Sequence, residues 1–159
     1  MALYEATVQW RRGLTEPFVD QRYSRAHEWL FDGGARVRAS ASLHGVRAPY
    51  ADPTGVDPEE ALVAALSSCH MLFFLWLAAQ RGFAVAAYSD PAVGEMGKGA
   101  DGREWVTRVT LRPRVVFDGD KRPTFSEVEL LHHEAHENYF VANSVKTEIV
   151  VEGHAIGLR

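Results

Sequence analysis

The run Asp57-Pro58-Glu59-Glu60-Ala61-Leu62-Val63-Ala64-Ala65-Leu66-Ser67-Ser68-Cys69-His70-Met71-Leu72-Phe73-Phe74-Leu75-Trp76-Leu77-Ala78-Ala79-Gln80 carries the signals that open a helix and none that would interrupt one. Asp57 is a good N-cap, Pro58 fits the first helical position, and Glu60 completes a capping box. Gly82, directly after Arg81, is a natural stop. Leu62, Leu66, Leu72, Phe73, Leu75 and Leu77 spread apolar bulk around more than one face, so the helix needs cover from a sheet or from a partner chain. From Ala61 to Ala79 the run is also about long enough to cross a bilayer. Ser67, Ser68, Cys69 and His70 in its middle, and the acidic start, favour a core helix and no membrane span.

Working toward the N-terminus, Tyr4 to Trp10 and His27 to Phe31 read as strands, rich in aromatic and β-branched residues. Asp32-Gly33-Gly34 is a turn signal, and Val37, Ala39 and Ala41 alternate with polar residues after it, which predicts an antiparallel meander. A loop through Ala48-Pro49 and Asp52-Pro53-Thr54-Gly55 leads to the helix. On the other side, strands are predicted over Ala84 to Met96 and Trp105 to Phe117, with bulges or edges at Pro91 and Pro113. Thr124-Phe125-Ser126-Glu127 is a second capping box, and Val128, Leu131 and Ala135 share one face of the helix it opens. Lys146 to Val151 alternates like a final strand. The order is βββ-α-ββ-α-β, an α+β fold with a long central helix, as one domain over residues 1–159.

Composition narrows the function classes. With 159 residues, 47% hydrophobic and 24% charged, the chain is an ordinary globular domain. Its 17 basic against 21 acidic residues give a net charge of −4, which offers no electrostatic source for nucleic-acid binding. The single cysteine excludes an internal disulfide, a multi-thiolate zinc site and any two-cysteine redox cycle within one chain. Met1-Ala2-Leu3-Tyr4-Glu5 lacks the basic and apolar regions of a secretory signal, so a reducing cytoplasm is the expected compartment.

Cys69 is the only strong nucleophile among the side chains, and it reads either as a small core residue or as a reactive thiol. It lies twelve residues past Asp57, beyond the reach of the helix N-terminus, so activation needs a nearby cation. His70 points about 100° away from it on the helix and is a poor base for it. His132, His133 and His136 are spaced for a helix face, but His133-Glu134-Ala135-His136 is one residue short of the metalloprotease pattern. A solvated face is the expectation there, with no metal and no cofactor. No glycine-rich phosphate loop or serine elbow is present. Phe73, Phe74 and Trp76, close to Cys69 in sequence, are fit to line an apolar substrate pocket.

The segment Asp57 to His70 resembles the OsmC/Ohr family, the osmotically inducible protein C and organic hydroperoxide resistance proteins. That family has Asn/Asp-Pro-Glu, then a small-residue-rich helix with a reactive cysteine ten residues after the glutamate, as Cys69 follows Glu59 here. A second similar segment is Ala135-His136-Glu137-Asn138-Tyr139-Phe140-Val141-Ala142-Asn143-Ser144-Val145-Lys146. The resemblance implies an intertwined homodimer that reduces organic hydroperoxides in oxidative stress. Cys69 matches the attacking cysteine and Glu59 the glutamate that holds the activating arginine. Arg25 is the nearest match to that arginine, with Arg47 as the alternative; His27, near Arg25, is expected to face solvent or core. Glu59 and Cys69 stand about 15 Å apart along one helix, so either a long arginine links them or the site forms across the dimer.

One departure bears on function. Tyr139 occupies the position of the family's resolving cysteine, and a tyrosine cannot condense with a sulfenic acid to form a disulfide. The expectation is therefore a one-cysteine peroxidase whose sulfenic acid is resolved by an external thiol, with Phe73, Trp76 and Tyr139 lining the substrate pocket. The rival is a non-catalytic stress-related protein, or one that binds a small apolar ligand on the same fold.

Overall fold

The computed structural model describes residues 1–153 and 155–158, and the chain divides into two compact units, Met1–Ala61 and Leu62–Arg159. The first unit holds an antiparallel sheet of β1 (Ala6–Gln9), β2 (His27–Phe31) and β3 (Arg36–Ala39), in that spatial order. The register pairs Val8 with Trp29 and Trp29 with Val37, and the β2–β3 turn closes at Gly34, whose φ of 83° suits a residue without Cβ. The predicted meander is present, with its first strand shorter at both ends.

Helix α1 (Pro58–Gln80) opens in the first unit and continues through the second. Its start is the predicted capping box: Glu60 N–H donates to the Asp57 carboxylate at 2.8 Å and Asp57 N–H to the Glu60 carboxylate at 3.1 Å. Its end is a Schellman motif around Gly82 (φ 75°), where Phe83 N–H reaches the Ala78 carbonyl at 2.9 Å and Gly82 N–H the Ala79 carbonyl at 3.0 Å. Leu66, His70, Phe74 and Ala78 are its fully buried residues, a stripe at i, i+4 spacing. By length and composition α1 is also able to cross a membrane.

In the second unit the two long strands predicted after α1 are each broken in two. The first becomes β4 (Val85–Ser89) and β5 (Val93–Lys98), interrupted at Asp90-Pro91-Ala92; the second becomes β6 (Glu104–Leu111) and β7 (Arg114–Phe117), interrupted at Arg112-Pro113. Proline has no N–H for a ladder, so pairing stops at each. Asp90 holds the two breaks together, accepting the Arg112 N–H at 2.6 Å and the Ser67 hydroxyl of α1 at 2.5 Å. Two three-stranded sheets result. In one, β6 lies between antiparallel β5 and parallel β8 (Glu148–Val151); in the other, β7 lies between antiparallel β4 and parallel β9 (Ala155–Leu158). Strand β9 is an addition to the predicted order.

Helix α2 (Phe125–Asn138) begins at the predicted Thr124 capping box and buries Val128, Leu131, His132 and Ala135. Two apolar clusters form this unit's core. Phe74, Ala78, Phe83, Val115, Phe117, Val128, Leu131 and Ala135 make one; Leu66, Val106, Val109, Leu111 and Tyr139 make the other. Arg81, just past α1, donates to both carboxylate oxygens of Glu134 on α2, at 2.7 and 2.5 Å, and ties the two helices.

Candidate active site

Cys69 is the twelfth residue of α1, half-buried and free of any disulfide. It packs against the Leu66, Val106, Val109, Leu111 and Tyr139 cluster, with Phe73 half-buried beside it. Helix α2 ends where Tyr139 turns to extended backbone (φ −81°, ψ 132°), so the Tyr139 ring leaves the helix and enters this cluster. Its exposure is 0%, and its hydroxyl makes no hydrogen bond among the described residues. Burial pushes its phenol above the ordinary tyrosine range, and negative charge on Cys69 adds to the shift. Phe73 meets Phe140 edge-on at 5.2 Å and Trp76 edge-on at 6.4 Å. Trp76 is 55% exposed, so within one chain it forms an open edge and not an enclosed wall.

The histidines correct a sequence expectation. His132 lies in the core and not on a solvated face: its Nδ1 is 3.1 Å from Nε2 of buried His70, joining α2 to α1. The rings are nearly coplanar in orientation (4°), Phe74 stacks on His132 at 4.3 Å, and Tyr139 stands edge-on to His70 at 5.6 Å. A ring-to-ring hydrogen bond satisfies one nitrogen of each imidazole without water, which is what allows two polar rings between apolar clusters. His133 is exposed, and His132, His133 and His136 line a cavity of about 370 Å³ with Glu129 and Val151. Among the described residues no three His, Cys, Asp or Glu side chains converge as a metal site.

Arg25 belongs to the first unit, where it lines a pocket of about 460 Å³ with Trp10, Phe18, Tyr23, His27 and Ser40. Phe18 packs on Tyr23 at 4.7 Å and Trp10 on Tyr23 at 5.4 Å. The Arg25 guanidinium lies 3.8 Å from the centre of the Tyr23 ring, and its Nη1 donates to the carbonyls of Gln21 (2.6 Å) and Tyr23 (2.5 Å). Gln21 is in the left-handed region (φ 64°), a backbone state uncommon for a residue with a Cβ. His27 faces this pocket and not simply solvent or core. Trp29 Nε1 donates to His27 Nε2 at 3.0 Å, so the neutral ring carries its proton on Nδ1, 2.7 Å from the Arg25 carbonyl. Glu59 is exposed in the first turn of α1 and forms no ion pair with Arg25 among the described residues. Arg47 is exposed, and its carbonyl accepts the N–H groups of Tyr50 and Ala51 at 3.1 and 3.3 Å.

The model of the OsmC-like protein family matches residues 51–153, a span that contains α1, Cys69, α2 and Tyr139. The chain belongs to the OsmC-like family. A solved OsmC-like protein of unknown function from Vibrio cholerae is 54% identical, with 96% of this chain and 99% of that one aligned at a TM-score of 0.94. Organic hydroperoxide resistance proteins from Elizabethkingia anophelis (16% identity, TM-score 0.69, 100% and 98% covered) and Bacillus subtilis (18%, 0.62, 99% and 100%) share the fold. Comparison with curated proteins finds no match.

Of the expected site residues in this OsmC-like chain, the second unit brings together Cys69, Phe73 and Tyr139, while Arg25 and Glu59 lie in the first. Two features escaped the sequence. Trp10, Phe18 and Tyr23 come from a strand end and an irregular loop with no period to relate them. The His70–His132 pair spans 62 positions of sequence, and no local signal connects them.

Proposed function

We propose that the chain is a thiol-dependent peroxidase that reduces organic hydroperoxides through Cys69. The observation that carries this reading is the setting of Cys69: a free thiol, half-buried, against an apolar cluster suited to an organic peroxide's tail. The Cys69 thiolate attacks one peroxide oxygen; the S–O bond forms as the O–O bond breaks, and the alkoxide leaves and takes a proton as the alcohol. The sulfur is thereby oxidised to the sulfenic acid. An external thiol then attacks the sulfur, releasing water and leaving a mixed disulfide. A second thiol frees Cys69 and departs as the oxidised disulfide. Tyr139 in place of a resolving cysteine is the reason the thiols come from outside.

The resemblance to the family assigns Arg25, or alternatively Arg47, to thiol activation and peroxide orientation and Glu59 to holding that arginine. Within one chain Arg25 is instead held by the Gln21 and Tyr23 carbonyls, and it forms no ion pair with Glu59 among the described residues. Glu59 and Cys69 are separated by about 15 Å of helix, which supports a homodimer with the active site at the subunit interface. The exposed apolar side chains of Leu72 and Trp76 on α1 support the same assembly. A stable monomer with full activity would overturn it. Solved relatives described as organic hydroperoxide resistance proteins support the substrate class. A cytoplasmic location accords with the need for reduced thiols.

The test is turnover of cumene hydroperoxide with a panel of mono- and dithiols, comparing the wild type with Cys69→Ser. Loss of consumption to background in the variant is the expected result, and cysteine-independent or absent consumption by the wild type overturns the reading. The aromatic pocket beside Arg25 favours a second reading, a protein that binds a small apolar ligand without catalysis. Its signature in the same experiment is no turnover, together with a retained ligand in native mass spectrometry.

A further inference from the structure

Tyr139 presents an unusual combination: a side chain with 0% exposure whose hydroxyl has no hydrogen-bond partner among the described residues. Burying a hydroxyl unpaired costs folding free energy that a phenylalanine of the same shape would avoid. The surrounding core offers it nothing, since Leu66, Val106, Val109 and Leu111 are aliphatic. The rings of His70 and His136, with centroids 5.6 and 5.9 Å from that of Tyr139, make no hydrogen bond to it. Cys69 packs against the same cluster, close enough for its charge to act on the Tyr139 phenol, and among the described residues no hydrogen bond joins the two. Oxidation changes this, because it adds a strong acceptor oxygen to Sγ, one S–O bond further out.

We infer that Tyr139 Oη donates a hydrogen bond to the oxygen carried by oxidised Cys69, making Tyr139 a sulfenate-binding residue. The inference rests on the peroxidase reading above and assigns the Tyr139 side chain a role that packing alone does not require. No bond is made or broken in the step: the phenol keeps its proton and shares it with the sulfenyl oxygen. Burial, which holds the phenol protonated well into the alkaline range, keeps it a donor wherever the enzyme works. A sulfenate whose oxygen is hydrogen-bonded inside an apolar cluster is a weaker nucleophile toward a second peroxide. It therefore waits for the external thiol instead of advancing to the irreversible sulfinic acid. A cysteine without an internal resolving partner has particular need of such protection.

The experiment treats the full-length wild type and Tyr139→Phe with excess cumene hydroperoxide in the absence of thiol. Dimedone trapping and intact mass follow the sulfenic and sulfinic forms of Cys69. The expected result is that the variant reaches the sulfinic acid about tenfold faster, the scale of one charge-assisted hydrogen bond. Thermal denaturation provides a second reading that a packing role alone would not move. Reduced Tyr139→Phe should melt at or above the wild type, and this order should reverse once both carry the sulfenate. Equal rates of over-oxidation, with the same melting order in both redox states, overturn the role of Tyr139 and leave the peroxidase reading standing. Failure of Cys69 to oxidise in the wild type overturns both.

Discussion

Tyr88 and Tyr139 each bury a hydroxyl with no hydrogen-bond partner among the described residues, and for each, burial is the main cause of a raised phenol pKa. Asp90 adds to the shift at Tyr88 and Cys69 to that at Tyr139. The folded chain thus holds these protons where the unfolded chain, titrating near an ordinary value of about 10, releases them. The native state then binds more protons, so the slope of stability with pH is negative above about pH 10, and stability is fully present below it. Urea midpoints measured between about pH 8.5 and 11 should fall across the upper part of that range; a flat or rising profile would contradict the burial of both phenols. At this scale the sequence pointed to Cys69 because it is the chain's lone cysteine, a property read by counting. The unpaired hydroxyl of Tyr139 was illegible, because lacking a partner is a property of everything folded around a residue.

Helix termini were the most legible elements. Asp57 and Glu60 satisfy each other's backbone N–H groups three residues apart, and the Gly82 N–H reaches the Ala79 carbonyl three residues back, so a short window of sequence predicts both ends. The same holds for α2, where Glu127 N–H donates to Thr124 Oγ1 at 3.3 Å and Thr124 N–H to Glu127 at 2.7 Å. Thr124→Ala should lower unfolding free energy by about 1 kcal/mol, measured by chemical denaturation. The Thr124 N–H, followed by its hydroxyl, holds the Glu127 carboxyl below the usual glutamate range. That contribution is present at neutral pH and is lost as pH falls through the depressed value. Strands were less legible. Pro91 and Pro113 read as bulges or edges within two long strands, whereas each strand is broken in two, and the two sheets pinned through Asp90 to Ser67 and Arg112 depend on residues 22 and 23 positions apart.

For the whole molecule, α1 poses the main question. Its buried stripe, Leu66, His70, Phe74 and Ala78, faces the core of the second unit, while Leu72 and Trp76 are 59% and 55% exposed. In the proposed homodimer these two residues are covered by the second copy. Trp76→Glu should therefore shift the species in sedimentation velocity from dimer to monomer and reduce hydroperoxide turnover with it. A wild type that sediments as a monomer at micromolar concentration would remove the dimer from the proposal.

What the sequence determined by itself were features settled by neighbours along the chain: the capped starts of both helices, the glycine stop after the first, the turn at Gly33-Gly34, and the spacing from Glu59 to Cys69. Short-range hydrogen bonding and steric restriction decide these, and both are written in a few consecutive residues. The tertiary structure alone decided which side chains lost water together. It turned His132 inward onto His70, grouped Trp10, Phe18 and Tyr23 around Arg25, and closed an apolar cluster over the Tyr139 hydroxyl beside Cys69. Desolvation depends on all the atoms that converge on a point, and those come from distant parts of the chain.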